Sequence, residues 1–210
     1  MSRRKSSPSH SKKRDSTPVD KPLRIIGGRL RNSPIRYTGD RRTRPMKERV
    51  REALFNLIGP EVTGKHAIDL FAGTGALGLE AISRGAARAT LIERHFPTVR
   101  VIRENVASLG VQSQCHVFAG DTFLWLRQQS DPGLLETDPW LVLCSPPFEF
   151  YIDRLDQMQR LLSDLYSAAP AGSLLAVEAD QRFDFAAFFD LGEWDVRNYA
   201  PAVLGIIRKP

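Results

Sequence analysis

Four short stretches carry side chains whose types and spacing suit a nucleoside ligand. Asp69-Leu70-Phe71-Ala72-Gly73-Thr74-Gly75-Ala76-Leu77-Gly78 is an apolar run that ends in a G-x-G-x-x-G turn. Glycines let such a turn approach a ligand closely, and the helix that follows offers free N–H groups and a positive dipole end. By itself the turn also fits a nicotinamide dinucleotide enzyme. Asp69 pulls the other way, because a carboxylate just before the turn sits poorly beside a pyrophosphate and suits a ligand with an ammonium group. Glu93 closes the next apolar run, where a carboxylate can accept from both ribose hydroxyls. Gly120-Asp121 follows the third run, within reach of an adenine amino group. Cys144-Ser145-Pro146-Pro147-Phe148 follows the fourth. There two prolines stiffen the loop and remove N–H donors, leaving carbonyl acceptors, and Phe148 offers a flat face for a base.

The elements that must position these residues alternate. Strands are predicted over His66–Phe71, Ala89–Glu93, Gln114–Ala119, Trp140–Cys144 and Ser173–Glu178. Helices are predicted over Ala76–Arg84, Pro97–Leu109, Thr122–Gln129 and Ile152–Ala168. This rhythm implies an α/β fold with a doubly wound, mostly parallel sheet. Glu193–Tyr199 and Val203–Arg208, split by Ala200-Pro201-Ala202, predict a C-terminal antiparallel hairpin and bring the sheet to seven strands. The four chemical stretches then lie at successive strand ends on one edge, where open α/β sheets bind ligands.

Ahead of this body, Leu23-Arg24-Ile25-Ile26, Gly27-Gly28 and Arg29–Tyr37 read as an N-terminal β-hairpin arm with alternating arginines. Arg41-Arg42-Thr43-Arg44-Pro45 is a basic loop, with Pro45 suited to a first helical position. Met46–Ile58 has helical periodicity, with Met46, Val50, Leu54 and Leu57-Ile58 on one face and Lys47, Arg49 and Arg51 elsewhere. The organisation is therefore a disordered basic tail over 1–21, a basic arm and helix over 22–60, and a ligand-binding domain over 61–210.

The net charge of +6 conceals a division. Residues 1–21 carry +5, residues 22–52 carry +7 and residues 53–210 carry −6. A basic quarter on an acidic body suits a polyanion such as a nucleic-acid backbone. No apolar run approaches the ~20 residues that a membrane-spanning helix needs. The basic N-terminus lacks the apolar stretch of a secretory signal. Cys115 and Cys144 sit in apolar, strand-like runs, as buried free thiols of a reducing cytoplasm do, and no zinc-type spacing is present.

Ser145-Pro146-Pro147-Phe148 resembles the (Asp/Asn/Ser)-Pro-Pro-(Tyr/Phe/Trp) motif of S-adenosylmethionine-dependent amino methyltransferases. Asp69–Gly75 resembles their donor loop. Arg44-Pro45, Arg49–Asn56, Asp69–Ala81 and Ser83-Arg84-Gly85-Ala86 together resemble the RsmD family of bacterial 16S rRNA guanine-N2 methyltransferases. Arg24–Gly28 fits that family's N-terminal arm, and the likeness runs from about Leu23 to the C-terminus. The family has Asp where Ser145 stands and Thr where Met46 stands.

The resemblance implies a cytoplasmic, monomeric, Rossmann-like methyltransferase with no metal, acting on 16S rRNA or the assembling small ribosomal subunit. It implies S-adenosylmethionine held by Asp69, Phe71, Gly73, Gly75, Glu93 and Asp121. It also implies RNA contacts from Arg24, Arg29, Arg44, Lys47 and Arg49. Ser145, Pro146, Pro147 and Phe148 are the catalytic set. The Ser145 Oγ and the Pro146 carbonyl accept from the exocyclic amine, and Phe148 stacks on the extruded base. Ser145→Asp is expected to retain or raise activity. Cytosine N4, adenine N6 and a non-catalytic RNA-binding relative are the alternatives.

Overall fold

A computed structural model describes residues 23–37, 39, 45–128 and 138–210. The expected tail and Arg44 therefore lie outside the described residues. The chain runs α1 (Glu48–Ile58), β1 (His66–Asp69), α2 (Ala76–Ser83), β2 (Arg88–Glu93), α3 (Phe96–Ser108), β3 (Cys115–Ala119) and α4 (Thr122–Gln128). It continues through β4 (Trp140–Cys144), α5 (Phe150–Asp153), α6 (Leu155–Ala168), β5 (Leu174–Asp180), β6 (Asp195–Tyr199) and β7 (Ala202–Arg208). The seven strands form one sheet in the order β3-β2-β1-β4-β5-β7-β6. β1 to β5 are parallel, and β7 runs antiparallel to both β5 and β6. The fold is the expected α/β sheet with a C-terminal antiparallel hairpin.

The central strands are buried on both faces, so their sequences read as continuous apolar runs rather than polar–apolar alternation. The period of two survives in which core each residue joins. Leu141 and Leu143 of β4 face one core with α1, α2 and α3, whereas Trp140, Val142 and Cys144 face the other. Trp125 of α4 and Met158, Leu162 and Leu165 of α6 line that second core. Chain order reverses between β1 and β4, so the crevice for a ligand opens at their carboxyl ends.

The arm is an irregular hairpin lying on the body. Ile25 N–H donates to the Ser33 carbonyl (2.9 Å), Asn32 N–H to Ile25 (2.9 Å) and Ile35 N–H to Leu23 (2.8 Å). Ile25 and Ile35 are buried in the core of α1 and α2. The Glu80 carboxylate on α2 accepts from Ile26 N–H and Gly27 N–H, each at 2.8 Å, and from Arg84 Nε at 2.8 Å. Arg51, expected to project away from the packed face of α1, is instead fully buried. Its Nε lies 3.6 Å from Glu80 Oε2 and its Nη2 donates to the Arg24 carbonyl at 2.5 Å. A long guanidinium can cross an apolar face when an anion and a carbonyl wait beyond it, which helical periodicity does not show.

Two other differences are local. Pro45 precedes α1 by three residues and leads in from the cavity described below, because Lys47 is the extended N-cap that accepts from Val50 and Arg51 N–H. The predicted helix over 152–168 is broken at Arg154 (φ −136°) into α5 and α6. The Arg154 guanidinium lies 4.7 Å from the Phe150 ring centroid.

Candidate active site

A cavity of about 740 Å³ opens at the carboxyl ends of β1, β2, β3, β4 and β5. Its volume lies within the range of small-molecule sites. One half is walled by the turns after β1, β2 and β3, and the other by the Ser145–Phe148 loop, the residues before α1 and the β6–β7 turn.

The first half is built from acids bonded to backbone amides. Glu93 Oε2 accepts from Gly73 N–H at 2.9 Å and Oε1 from His95 N–H at 2.7 Å. One carboxylate thus ties the turn after β1 to the turn after β2. Asp121 Oδ1 accepts from Phe123 N–H at 2.8 Å, which caps the start of α4 and leaves further acceptor capacity at the cavity wall. The Thr122 hydroxyl donates to the Leu70 carbonyl, tying that cap to β1. Phe71, Phe123 and Phe150 also line the cavity, their ring centroids 5.9–6.2 Å apart.

Asp69 does not reach the cavity. Its side chain is fully buried, with Oδ2 accepting from Gly78 N–H at 2.9 Å and Oδ1 unpartnered. Burial raises its pKa to about 7, the Glu93 charge adds to that rise, and the Gly78 N–H opposes it. The contact the structure gives Asp69 is a structural one: the residue sets the turn from behind. Gly75 works from behind too. Its φ is +80°, and a Cβ there would stand 3.1 Å from Leu91 Cδ2. A Cβ on Gly78 would meet the same leucine atom at 3.0 Å, so any larger residue there would press on Leu91 where α2 lies close on β2. Gly73 alone of the three glycines lines the cavity.

The second half holds Ser145, Pro146, Pro147 and Phe148 on the wall. Phe150 N–H donates to the Pro147 carbonyl (2.9 Å) and Tyr151 N–H to the Phe148 carbonyl (3.2 Å), so the loop runs directly into α5. The Pro146 carbonyl takes part in neither bond. The residue that sequence reasoning missed is Glu178, near the end of β5. It is 8% exposed, lines the cavity, and accepts from Ser145 Oγ at 2.5 Å. Register explains the pairing: Cys144 is level with Val177, so the next residue on each strand meets its neighbour. An acid closing an apolar strand singles out Glu93, and the same signal is present in Leu174-Leu175-Ala176-Val177-Glu178. This neighbour also revises the expectation for Ser145→Asp, because a second carboxylate there meets a like charge at contact distance.

The basic residues Arg24, Arg29 and Arg49 each have a partner within the protein. Arg24 pairs with Glu48 at 2.8 Å, Arg29 Nη2 donates to Gln114 Oε1 at 2.6 Å, and Arg49 Nη2 donates to the Ala200 and Tyr199 carbonyls. Arg49 thereby holds α1 against the β6–β7 turn, whose Pro201 and Ala202 form cavity wall. Lys47 is exposed at the cavity lip beside Met46. Burial keeps both cysteines as thiols, the Cys115 pKa rising to about 11 and that of Cys144 still higher. Among the described residues no cluster of three metal-ligating side chains occurs and no helix is long and apolar enough to cross a membrane.

The sequence matches a family model described as Conserved hypothetical protein 95 over residues 23–196. It is 36% identical over 142 residues to the Ribosomal RNA small subunit methyltransferase D of Escherichia coli (strain K12), covering 68% of this chain and 67% of the relative. The first two curated relatives are matched over 54% and 67% of their own lengths. Among solved structures, a hypothetical protein of Thermus thermophilus superposes with a TM-score of 0.70 at 26% identity, covering 89% of this chain and 99% of that one. An RNA methyltransferase from Salinibacter ruber, solved with S-adenosyl-L-homocysteine, shares the fold with a TM-score of 0.58 at 19% identity, covering 80% and 94%.

Proposed function

The chain belongs to the Conserved hypothetical protein 95 family, the RsmD family of the resemblance, and from that premise we propose that it transfers a methyl group from S-adenosylmethionine to the exocyclic N2 amine of a guanine in 16S rRNA. The observation that carries this reading is the juxtaposition, around one cavity, of a backbone-bonded acid on β2 and the Ser145-Pro146-Pro147-Phe148 loop after β4. The first is an anchor for ribose hydroxyls. The second is an acceptor set for an amine.

Glu93 and Asp121 fit the ribose and the adenine of the donor, Gly73 allows close approach of the turn, and the Phe71, Phe123 and Phe150 rings supply an apolar wall. When bound there, the donor supplies an already activated methyl group on a sulfonium, so the protein's contribution is chiefly alignment. A guanine amine is a poor nucleophile because its lone pair is delocalised into the ring. The Ser145 Oγ and the Pro146 carbonyl accept its two hydrogens, favour a pyramidal nitrogen and release the lone pair. Phe148 stacks on the base after it leaves its helix. Lys47 at the lip and the basic segment before α1 hold the RNA backbone, and this binding weakens as salt rises.

The test is methyl transfer from labelled donor to small subunits, and to their free RNA, taken from cells that lack the corresponding methylation. Label recovered in N2-methylguanine is the expected result. Label in N4-methylcytosine or N6-methyladenine overturns the base assignment, and donor binding without transfer overturns the enzymatic reading. Mass measurement of the protein alone and with substrate checks that it acts as a monomer.

A further inference from the structure

We propose that Glu178 completes the acceptor loop by acting through Ser145, so that hydroxyl and carboxylate together do what a single acid would do at position 145. The inference rests on the amine-transfer reading above. A serine hydroxyl beside an amine is ambiguous: it can accept from the N–H, which helps, or donate to the nitrogen lone pair, which blocks attack. The Ser145 proton is committed to Glu178 Oε2 at 2.5 Å, so Oγ turns only lone pairs toward the cavity. Glu178 is held for this task. It is nine-tenths buried, its strand is paired on one side with β4 and on the other with β7, and the Tyr151 hydroxyl donates to its carbonyl at 2.9 Å.

The same pair gives the departing proton a path. As the amine nitrogen forms its bond to the methyl carbon, the carbon–sulfur bond breaks and its electron pair stays on sulfur. The nitrogen then carries a positive charge. One of its protons passes to Ser145 Oγ while the Oγ proton passes to Glu178 Oε2. Glu178 ends as a neutral acid and returns its proton to water through the cavity that it lines. Serine is regenerated and no further reactant is required. Glu178 is a positioning residue and a proton acceptor at one remove. Ser145 is the group that touches the substrate.

The experiment compares wild type, Glu178→Gln, Ser145→Ala, Ser145→Asp and Ser145→Asp/Glu178→Gln in the full chain. Glutamine keeps an acceptor for the hydroxyl and removes only the charge. We expect Glu178→Gln to lower kcat roughly a hundredfold, in the usual range for proton transfer. The KM for RNA and the affinity for S-adenosylhomocysteine, measured by calorimetry, are expected to stay near wild type. Moving the carboxylate forward should restore turnover: Ser145→Asp/Glu178→Gln is expected to exceed both Glu178→Gln and Ser145→Asp by about tenfold, since the single aspartate variant sets two acids in contact. A purely structural tie gives no such rescue. Ser145→Ala keeps Glu178 in place and cuts the path, so it is expected to lose as much kcat as Glu178→Gln even if that variant folds poorly. Full kcat in Glu178→Gln or in Ser145→Ala overturns the proposal, as does a double variant no better than its parents. A wild type that transfers no methyl to RNA overturns the proposed function itself, whereas a transferring wild type matched by Glu178→Gln overturns this inference alone.

Discussion

The two halves of the cavity hold their acids in different ways. In the half walled by the turns after β1, β2 and β3, Glu93 and Asp121 are bonded to backbone amides of Gly73, His95 and Phe123, and Asp69 behind it is bonded to that of Gly78. In the other half Glu178 is bonded to a side-chain hydroxyl. An amide N–H is a fixed donor that does not ionise near neutral pH, so acids bonded to it shape turns and anchor a ligand. A hydroxyl can give up one proton and take another. The difference teaches that the first half is a mould, and that under the proposed reaction the second would be where a proton is handled.

Breaking the mould should have the largest effect. Glu93→Ala frees two amides that now meet a carboxylate, and each such charge-assisted bond contributes about 1.5–3 kcal/mol. The affinity for S-adenosylhomocysteine should fall by roughly two orders of magnitude or more by calorimetry. Asp69 tests whether an acid with no path to the cavity still governs the turn. Its folded-state pKa, about 7, lies above the ordinary value of 3.8, so between those pH values the folded protein keeps a proton that the unfolded chain has lost. Its contribution therefore makes stability fall as pH rises from about 4 to about 7, by up to about 1.4 kcal/mol per pH unit, and leaves it level above that. In Asp69→Asn, thermal melts across pH 4–8 should lose this slope relative to wild type. Equal slopes would show that the unpaired Oδ1 does not titrate in that window.

Phe148→Ala sharpens the comparison from the other side. Stacking of a base on an aromatic ring contributes about 1–3 kcal/mol, so kcat/KM for RNA should fall by roughly tenfold to a hundredfold. Affinity for S-adenosylhomocysteine should stay unchanged, because the ring lies on the acceptor wall. Wild-type kcat/KM would remove Phe148 from the site. Arg49→Ala should have the smallest effect. It removes an exposed side chain bonded to the Tyr199 and Ala200 carbonyls, which costs about 1 kcal/mol or less. A loss of RNA binding with no loss of stability would return Arg49 to the RNA surface.

The strand ends are legible in the sequence because a buried parallel strand is a short apolar run, and the residue that closes it is where polarity returns. That is enough to find Glu93, Asp121 and the proline loop. It also points to a doubly wound, mostly parallel sheet, since alternating strands and helices admit few other arrangements. What stays hidden are pairings between distant segments. Periodicity says which face a residue takes, and it does not say that Arg51 on an apolar face will find Glu80. Nor does it say that β4 and β5 align so that Ser145 meets Glu178. The pair of short 3₁₀ turns over Phe185–Leu191, kinked at Phe188, is hidden for a related reason. Its Phe185 and Phe188 rings pack on Phe183 and Trp194, and the conformation follows from that cluster rather than from a local period.

The anchoring of the arm on Glu80 has a consequence for how the chain is made. Synthesis delivers Ile26 and Gly27 more than fifty residues before the carboxylate that will accept their N–H groups. The Ser83 carbonyl and hydroxyl that receive Arg29 and Leu30 come later still. The arm thus leaves the ribosome ahead of its partners and cannot complete its hydrogen bonds until α2 has followed it. Until then Ile25, Ile35 and the Arg51 side chain have no burial site, and the arm remains an open end that the nascent chain closes only in retrospect.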